Sequence, residues 1–293
     1  MTVKQEVRVR SRAIVAVGVV FAVVVLLGVW VVVRQLGGEL RLPVASRTCT
    51  VQADGTVLLD ADQMANAATI AAIGIQRQMP ERAVVVALAT AYQESGLRNL
   101  SGGDRDSIGL FQQRPSQGWG TPQQIRDERY AANRFYAALK KVRGWEEMRV
   151  TDAAQAVQRS AFPTAYQKWA DESEVLTRAL LGEATGAVAC TVSRTPVMRG
   201  EAAAAALTRG LTLDWGLPGT GTVAALSGLT VPAADRRDGW RYAHWLVSHA
   251  PDHGVKRVRF ADLEWTAENG TWARVSDGRP ADGQVLAEVF AEG

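Results

Sequence analysis

The 293-residue chain is short of cysteine and histidine, and it is almost without net charge. Two cysteines, Cys49 and Cys190, exclude a disulfide-dense scaffold, and two distant thiolates are too few for a zinc site on their own. The three histidines, His244, His249 and His253, are confined to one short stretch. The formal charge of +3 is contained in the first twelve residues, where Lys4, Arg8, Arg10 and Arg12 stand against Glu6. The remainder is electrically balanced, so charge gives no argument for nucleic-acid binding. A composition of 47% hydrophobic and 22% charged residues excludes a disordered or collagen-like chain. The length suits two domains and a tail.

The first positive feature is an uncharged run from Ala13 to Val33, AIVAVGVVFAVVVLLGVWVVV. As a helix it covers about 30 Å, the thickness of a bilayer's hydrocarbon core. It is longer than the apolar region of a cleaved signal, and Val44-Ala45-Ser46 lies far downstream for a cleavage site. The expectation is a cytoplasmic tip at 1–12, a transmembrane helix at 13–33 and a linker at 34–48, with everything after it outside the cytoplasm. There an even pair of cysteines is read as bridged rather than as two buried free thiols.

Between the cysteines the punctuation is helical. Asp60 or Asp62 caps a helix over 63–78, and Pro80 opens a second one that is buried nearly all round, with Gly96 as its left-handed stop. Thr121-Pro122-Gln123-Gln124 has the capping-box pattern and opens a helix that ends at Gly144. Two more helices are expected near 151–159 and 163–181. No strand signal of comparable strength is read, so residues 49–190 are expected to form an all-α domain. After a linker at 191–199, residues 200–293 read as a small α+β domain. It has a helix stopped at Gly210, an amphipathic helix broken at Pro251, and strand-like pieces at VKRVRFA, Leu263 to Thr266, TWARV and QVLAEVF.

Glu94 stands out chemically. It ends an apolar helix at the lip of a polar, glycine-rich loop, a setting suited to a general acid. AYQESGLRNL followed by SIGLFQQRP resembles the catalytic signature of lysozyme-like lytic transglycosylases. The resemblance implies a lysozyme-like domain that cleaves peptidoglycan glycan strands, with Glu94 as acid/base and Ser107 and Gln112 lining the sugar cleft. The segment AVQRSAFPTAYQKW replaces the family's asparagine-alanine-glycine motif and offers Gln158 and Tyr166 in its place. Trp119, Phe111 and Tyr92 are candidates to stack on sugars. A transglycosylase needs one carboxylate and forms a 1,6-anhydro product. A hydrolytic muramidase needs an activated water as well, and Asp104 and Asp106 are the candidate second carboxylates.

The C-terminal half, with GLTLDWG and EWTAENGTW, resembles an accessory domain of some peptidoglycan hydrolases that is itself similar to zinc carboxypeptidases. Thr208 and Arg209 stand where a histidine ligand belongs and the last strand has no histidine, so Asp214 is expected to be an orphan and no metal or other cofactor is implied. The expected architecture is an all-α lysozyme-like domain preceded by one transmembrane helix and followed by a small α+β domain. Its expected partners are peptidoglycan and the membrane, with secretion or cell-wall machinery as candidates. The alternative functions are a non-catalytic wall-binding protein and a muramidase.

Overall fold

A computed structural model describes residues 48–193, 196–217, 228–275 and 281–292. The expected membrane span at 13–33 lies outside them. Among the described residues no helix is long and apolar enough to cross a membrane.

The expectation of an all-α domain between the cysteines is not met. The segment opens with a hairpin, β1 (Thr48–Ala53) and β2 (Gly55–Asp60), turned at Asp54. Cys49 and Val51 on β1 and Val57 and Leu59 on β2 point inward while their neighbours face out, the period-2 pattern of a half-buried sheet. β3 (Val188–Cys190) pairs on the free side of β1, so the sheet order is β2-β1-β3. The register sets Cys49 opposite Cys190, and the two are joined by a disulfide across 141 residues.

Helices fill the rest of this segment. α1 (Ala61–Gln76) starts at a capping box in which Asp60 accepts from the Gln63 amide and Gln63 accepts from the Asp60 amide, each at 2.9 Å. α2 (Glu81–Ser95) has one unbroken buried run from Ala83 to Tyr92 and ends on Gly96, whose φ of 63° is the left-handed stop. The expected helix from Pro122 to Gly144 is two: α3 (Pro122–Ile125), and α4 (Glu128–Leu139) capped afresh by the Asp127 side chain on the Tyr130 amide. α5 (Val150–Gln158) follows. The helix expected over 163–181 begins later, as α6 (Ala170–Leu180) after a 3₁₀ turn at Gln167–Trp169.

Beyond the disulfide, α7 (Gly200–Trp215) runs through the expected stop at Gly210, where the missing side chain makes room for the Trp245 ring. β4 (Gly228–Pro232), α8 (Arg236–Ser248), α9 (Ala250–His253), β5 (Val255–Ala261), β6 (Leu263–Thr266), β7 (Trp272–Arg274) and β8 (Ala281–Val289) complete the chain. The five strands form one antiparallel sheet, ordered β4-β8-β5-β6-β7, with α8 packed on β5 and β8. The described residues are therefore mixed α and β, with two antiparallel sheets.

One hydrophobic core runs through both segments. Polar ties cross it as well. Arg237 and Arg241 of α8 each donate at 3.0 Å to the Leu181 carbonyl at the end of α6, satisfying a carbonyl that the helix leaves orphaned. Trp272 Nε1 donates to the Val188 carbonyl at 2.7 Å.

Candidate active site

The last turn of α2 grips the segment before α6 through three consecutive residues. Tyr92 stacks on Trp169 at 4.8 Å between centroids, Gln93 accepts from Trp169 Nε1 at 3.1 Å, and Glu94 Oε1 accepts from the Tyr166 hydroxyl at 2.6 Å. Tyr166 is fully buried, and burial, aided by the bond to Glu94, pushes its hydroxyl far above the usual tyrosine range. It is therefore a fixed donor. Glu94 itself is half-buried, and its Oε2 has no hydrogen-bond partner among the described residues.

Ser95 brings the next element in. Its Oγ lies 2.7 Å from the Leu110 carbonyl, which pins a tight hairpin closed by paired amide bonds between Ile108 and Gln113, both at 3.0 Å. The buried Gln113 holds the other side by donating from Nε2 to the Ala131 carbonyl of α4 at 3.0 Å. At the tip, Gln112 takes a left-handed φ of 44°, a conformation that costs a non-glycine residue on the order of 1 kcal/mol or more. Its side chain folds back to donate to the Gly109 carbonyl at 3.1 Å and lies against Gly103. Gln158 at the end of α5 donates to the Phe111 carbonyl at 2.8 Å. Glu94, Gln112, Gln158 and Tyr166 thus belong to one connected assembly.

Other expected site residues fare differently. Ser107 is 7% exposed, near the base of the hairpin, and its amide donates to the Asp104 carbonyl. Asp106 is committed to the loop: Oδ1 accepts from Arg114 Nε at 2.7 Å and Oδ2 from the Ser116 amide at 2.8 Å. These bonds hold its carboxyl well below the usual range. Asp104 projects into solvent with only a 3.9 Å approach from Arg105. Neither carboxylate bonds to Glu94 or Tyr166. Phe111 is wholly buried and stacks on Phe135 at 4.7 Å, and Tyr92 is covered by Trp169, so both are packing residues rather than sugar platforms.

Trp119 lies in an open groove of about 620 Å³ between α4, α5 and the 117–119 turn, which Gln158 also lines. Three cations border it, Arg134, Lys141 and Arg159; Glu94 is not among its lining residues. Sequence reasoning passed over these cations, although the run Lys140, Lys141, Arg143 was there to read. It also passed over Phe162, which stands 72% exposed on the loop between Arg159 and Tyr166. No protein-family model matches the chain, and no curated protein matches it.

The C-terminal half is organised by packing. Asp214, expected to be an orphan, is instead a fully buried hub. It accepts from Trp245 Nε1 at 2.8 Å and Thr69 Oγ1 at 3.3 Å, and it is ion-paired with Arg129. Burial pushes its carboxyl up, against the pull of Arg129. His244 is fully buried: Nε2 accepts from the Ala187 amide at 2.9 Å and Nδ1 donates to the Ala179 carbonyl at 2.7 Å. Desolvation lowers its pKa to about 4, and that of His249 to about 3. Among the described residues no group of three or more histidine, cysteine, aspartate or glutamate side chains is placed to hold a metal ion.

Proposed function

We propose that the chain cleaves peptidoglycan glycan strands as a lytic transglycosylase with Glu94 as its single acid/base. It works outside the cytoplasm and is tethered through residues 13–33. The observation that carries the reading is the 2.6 Å bond from Tyr166 to Glu94 Oε1 at the end of α2. That bond fixes the carboxyl group and leaves Oε2 for the substrate. In the reaction, protonated Glu94 gives its proton to the oxygen linking N-acetylmuramic acid to N-acetylglucosamine, and the bond from that oxygen to the muramyl C1 breaks. The resulting carboxylate then takes the proton of the muramyl 6-hydroxyl as that oxygen bonds to C1, closing the 1,6-anhydro ring and restoring the acid. No water enters, which agrees with the commitment of Asp106 to Arg114 and Ser116 and with the outward course of Asp104. The disulfide Cys49–Cys190 supports an oxidising location.

Digestion of purified sacculi by the full chain in neutral detergent, with products read by mass spectrometry, tests this. Anhydro-muropeptides are expected from the wild type, and Glu94→Gln should lower their rate by about 10²–10⁴-fold. Reducing-end products would replace the lyase with a muramidase, and absence of products would sink the enzymatic reading.

A further inference from the structure

The groove beside α4 and α5 carries charge that the glycan chemistry does not use. A sugar backbone is neutral, and it asks for hydrogen bonds and an aromatic face, which Gln158 and Trp119 offer. The groove's rim has instead three exposed cations: Arg134 on α4, Lys141 just beyond it, and Arg159 at the end of α5. None of the three is within ion-pair distance of a carboxylate among the described residues. Several arginines elsewhere are ion-paired, as with Arg98 to Asp60, Arg114 to Asp106 and Arg237 to Glu183. The guanidinium of Arg134 is positioned by a 3.0 Å bond to the Gly118 carbonyl. Arg159 has a left-handed φ of 53° where it ends α5, an uncommon conformation for a non-glycine residue. No acidic side chain lines the groove.

One wall of the groove is also bonded to the assembly that holds Glu94. Gln158 is both a wall residue and the donor to the Phe111 carbonyl, in the hairpin that Ser95 holds against α2.

We propose that this groove binds the free carboxylates of the peptide stems that hang from the glycan strand, so that the protein selects strands whose stems are negatively charged. This rests on the peptidoglycan reading for the choice of anion, though not on cleavage. A stem peptide offers several carboxylates a few ångströms apart on a flexible chain, which matches three separate cations better than one compact phosphate pocket would. Each contact is exposed and therefore individually weak, and three acting together give roughly a tenfold preference.

The test uses the full chain in neutral detergent carrying Glu94→Gln, so that binding is read without turnover, and soluble uncross-linked glycan strands with intact stems. All strands are first acetylated on their amines, and half are then capped as methyl amides on their carboxylates, so the two pools differ in carboxylate charge alone. Uncapped strands should bind about tenfold more tightly at low salt, and the difference should shrink as the salt rises past about 0.3 M. Arg134→Gln, Lys141→Gln and Arg159→Gln together should abolish the preference, whereas Arg209→Gln, Arg236→Gln and Arg274→Gln, which remove the same charge from other exposed positions, should keep it. Equal binding of both pools would overturn the proposal, as would a preference that survives in the groove variant. Binding of poly(glycerol phosphate) as tight as that of uncapped strands would also overturn it, by showing a general polyanion surface. Failure of cleavage in the sacculus digestion, with the preference intact, would remove the catalytic reading and leave this one standing.

Discussion

Removing the hydroxyl of Tyr166 would leave its ring in a fully buried slot and take from Glu94 the donor that holds Oε1 at 2.6 Å. The two states of the protein then differ mainly in how the carboxyl group is presented. Because burial and the bond to Glu94 push the tyrosine's pKa up, it stays protonated, and so a donor, around neutral pH. On the proposed reading Tyr166 is a positioning residue, and Tyr166→Phe separates that role from packing. We expect a fall in kcat of about tenfold to a hundredfold, the range in which loss of orientation is felt, with KM little changed. Binding to sacculi and the thermal midpoint should stay close to wild type, because only one hydrogen bond, worth about 1 kcal/mol, is lost. An unchanged kcat would show that Glu94 is oriented by something else. A large fall in thermal midpoint with a matching loss of binding would show that the hydroxyl serves the fold.

The hairpin around Gln112 shows how an element can be stable and still finely set. A side chain at Gly103 would place its Cβ 1.7 Å from Gln112 Oε1 and 2.8 Å from its Cδ. What it meets is the free end of a flexible side chain, so the clash is relieved by turning Gln112 away from the Gly109 carbonyl, with no movement of the backbone. Gly103→Ala should therefore leave the thermal midpoint within about 3 °C of wild type. It should raise KM about threefold to tenfold if the folded-back amide of Gln112 faces the sugar. An unchanged KM would remove Gln112 from the substrate's path. Such a contact is invisible in sequence, since Gly102 and Gly103 read simply as loop. Local signals were legible where the physics is local: the capping box at Thr121, a cap at one of Asp60 and Asp62, the Gly96 stop, and four of the five strands of the second sheet. The first sheet was not read, although Asp54-Gly55 sits between two alternating runs, the ordinary mark of a hairpin. Its third strand is three residues long and is defined only by a partner far away in sequence. The helix expected from residue 163 begins at Ala170 because Tyr166 and Trp169 are held by Glu94 and Gln93, and tertiary contacts outweighed propensity there. Glu94 and Tyr166 were each legible as candidate site residues, but the bond between them was not.

At the scale of the whole molecule, the segments before and after Cys190 are tied by groups that must stay in one protonation state. His244 on α8 bonds to the Ala187 amide and the Ala179 carbonyl as a neutral ring with its proton on Nδ1, a hydrogen-bonding pattern the doubly protonated ring cannot keep. Its pKa of about 4 in the folded chain lies below the unfolded value of about 6.5, and His249 behaves alike at about 3. With a depressed histidine the folded state binds fewer protons than the unfolded one. Stability is therefore fully present above about pH 6.5 and is lost as the pH falls toward 4, by up to about 1.4 kcal/mol per pH unit for each ring. Asp214, whose carboxyl is pushed up by burial, titrates in the opposite sense, so the slope of a single protein would mix the two. The difference between the wild type and His244→Leu isolates the histidine. At pH 7.5 the variant should be less stable by about 1–3 kcal/mol, because the buried Ala187 amide loses its acceptor. Near pH 5 the gap should narrow by about 2 kcal/mol, as the wild type alone pays to keep the ring neutral, and it can change sign. Urea denaturation of the full chain in detergent at the two pH values, with the disulfide intact, measures both gaps. A gap that does not change with pH would mean that His244 takes up a proton without cost, and the tie between α8 and the end of the first segment would then need a different donor set.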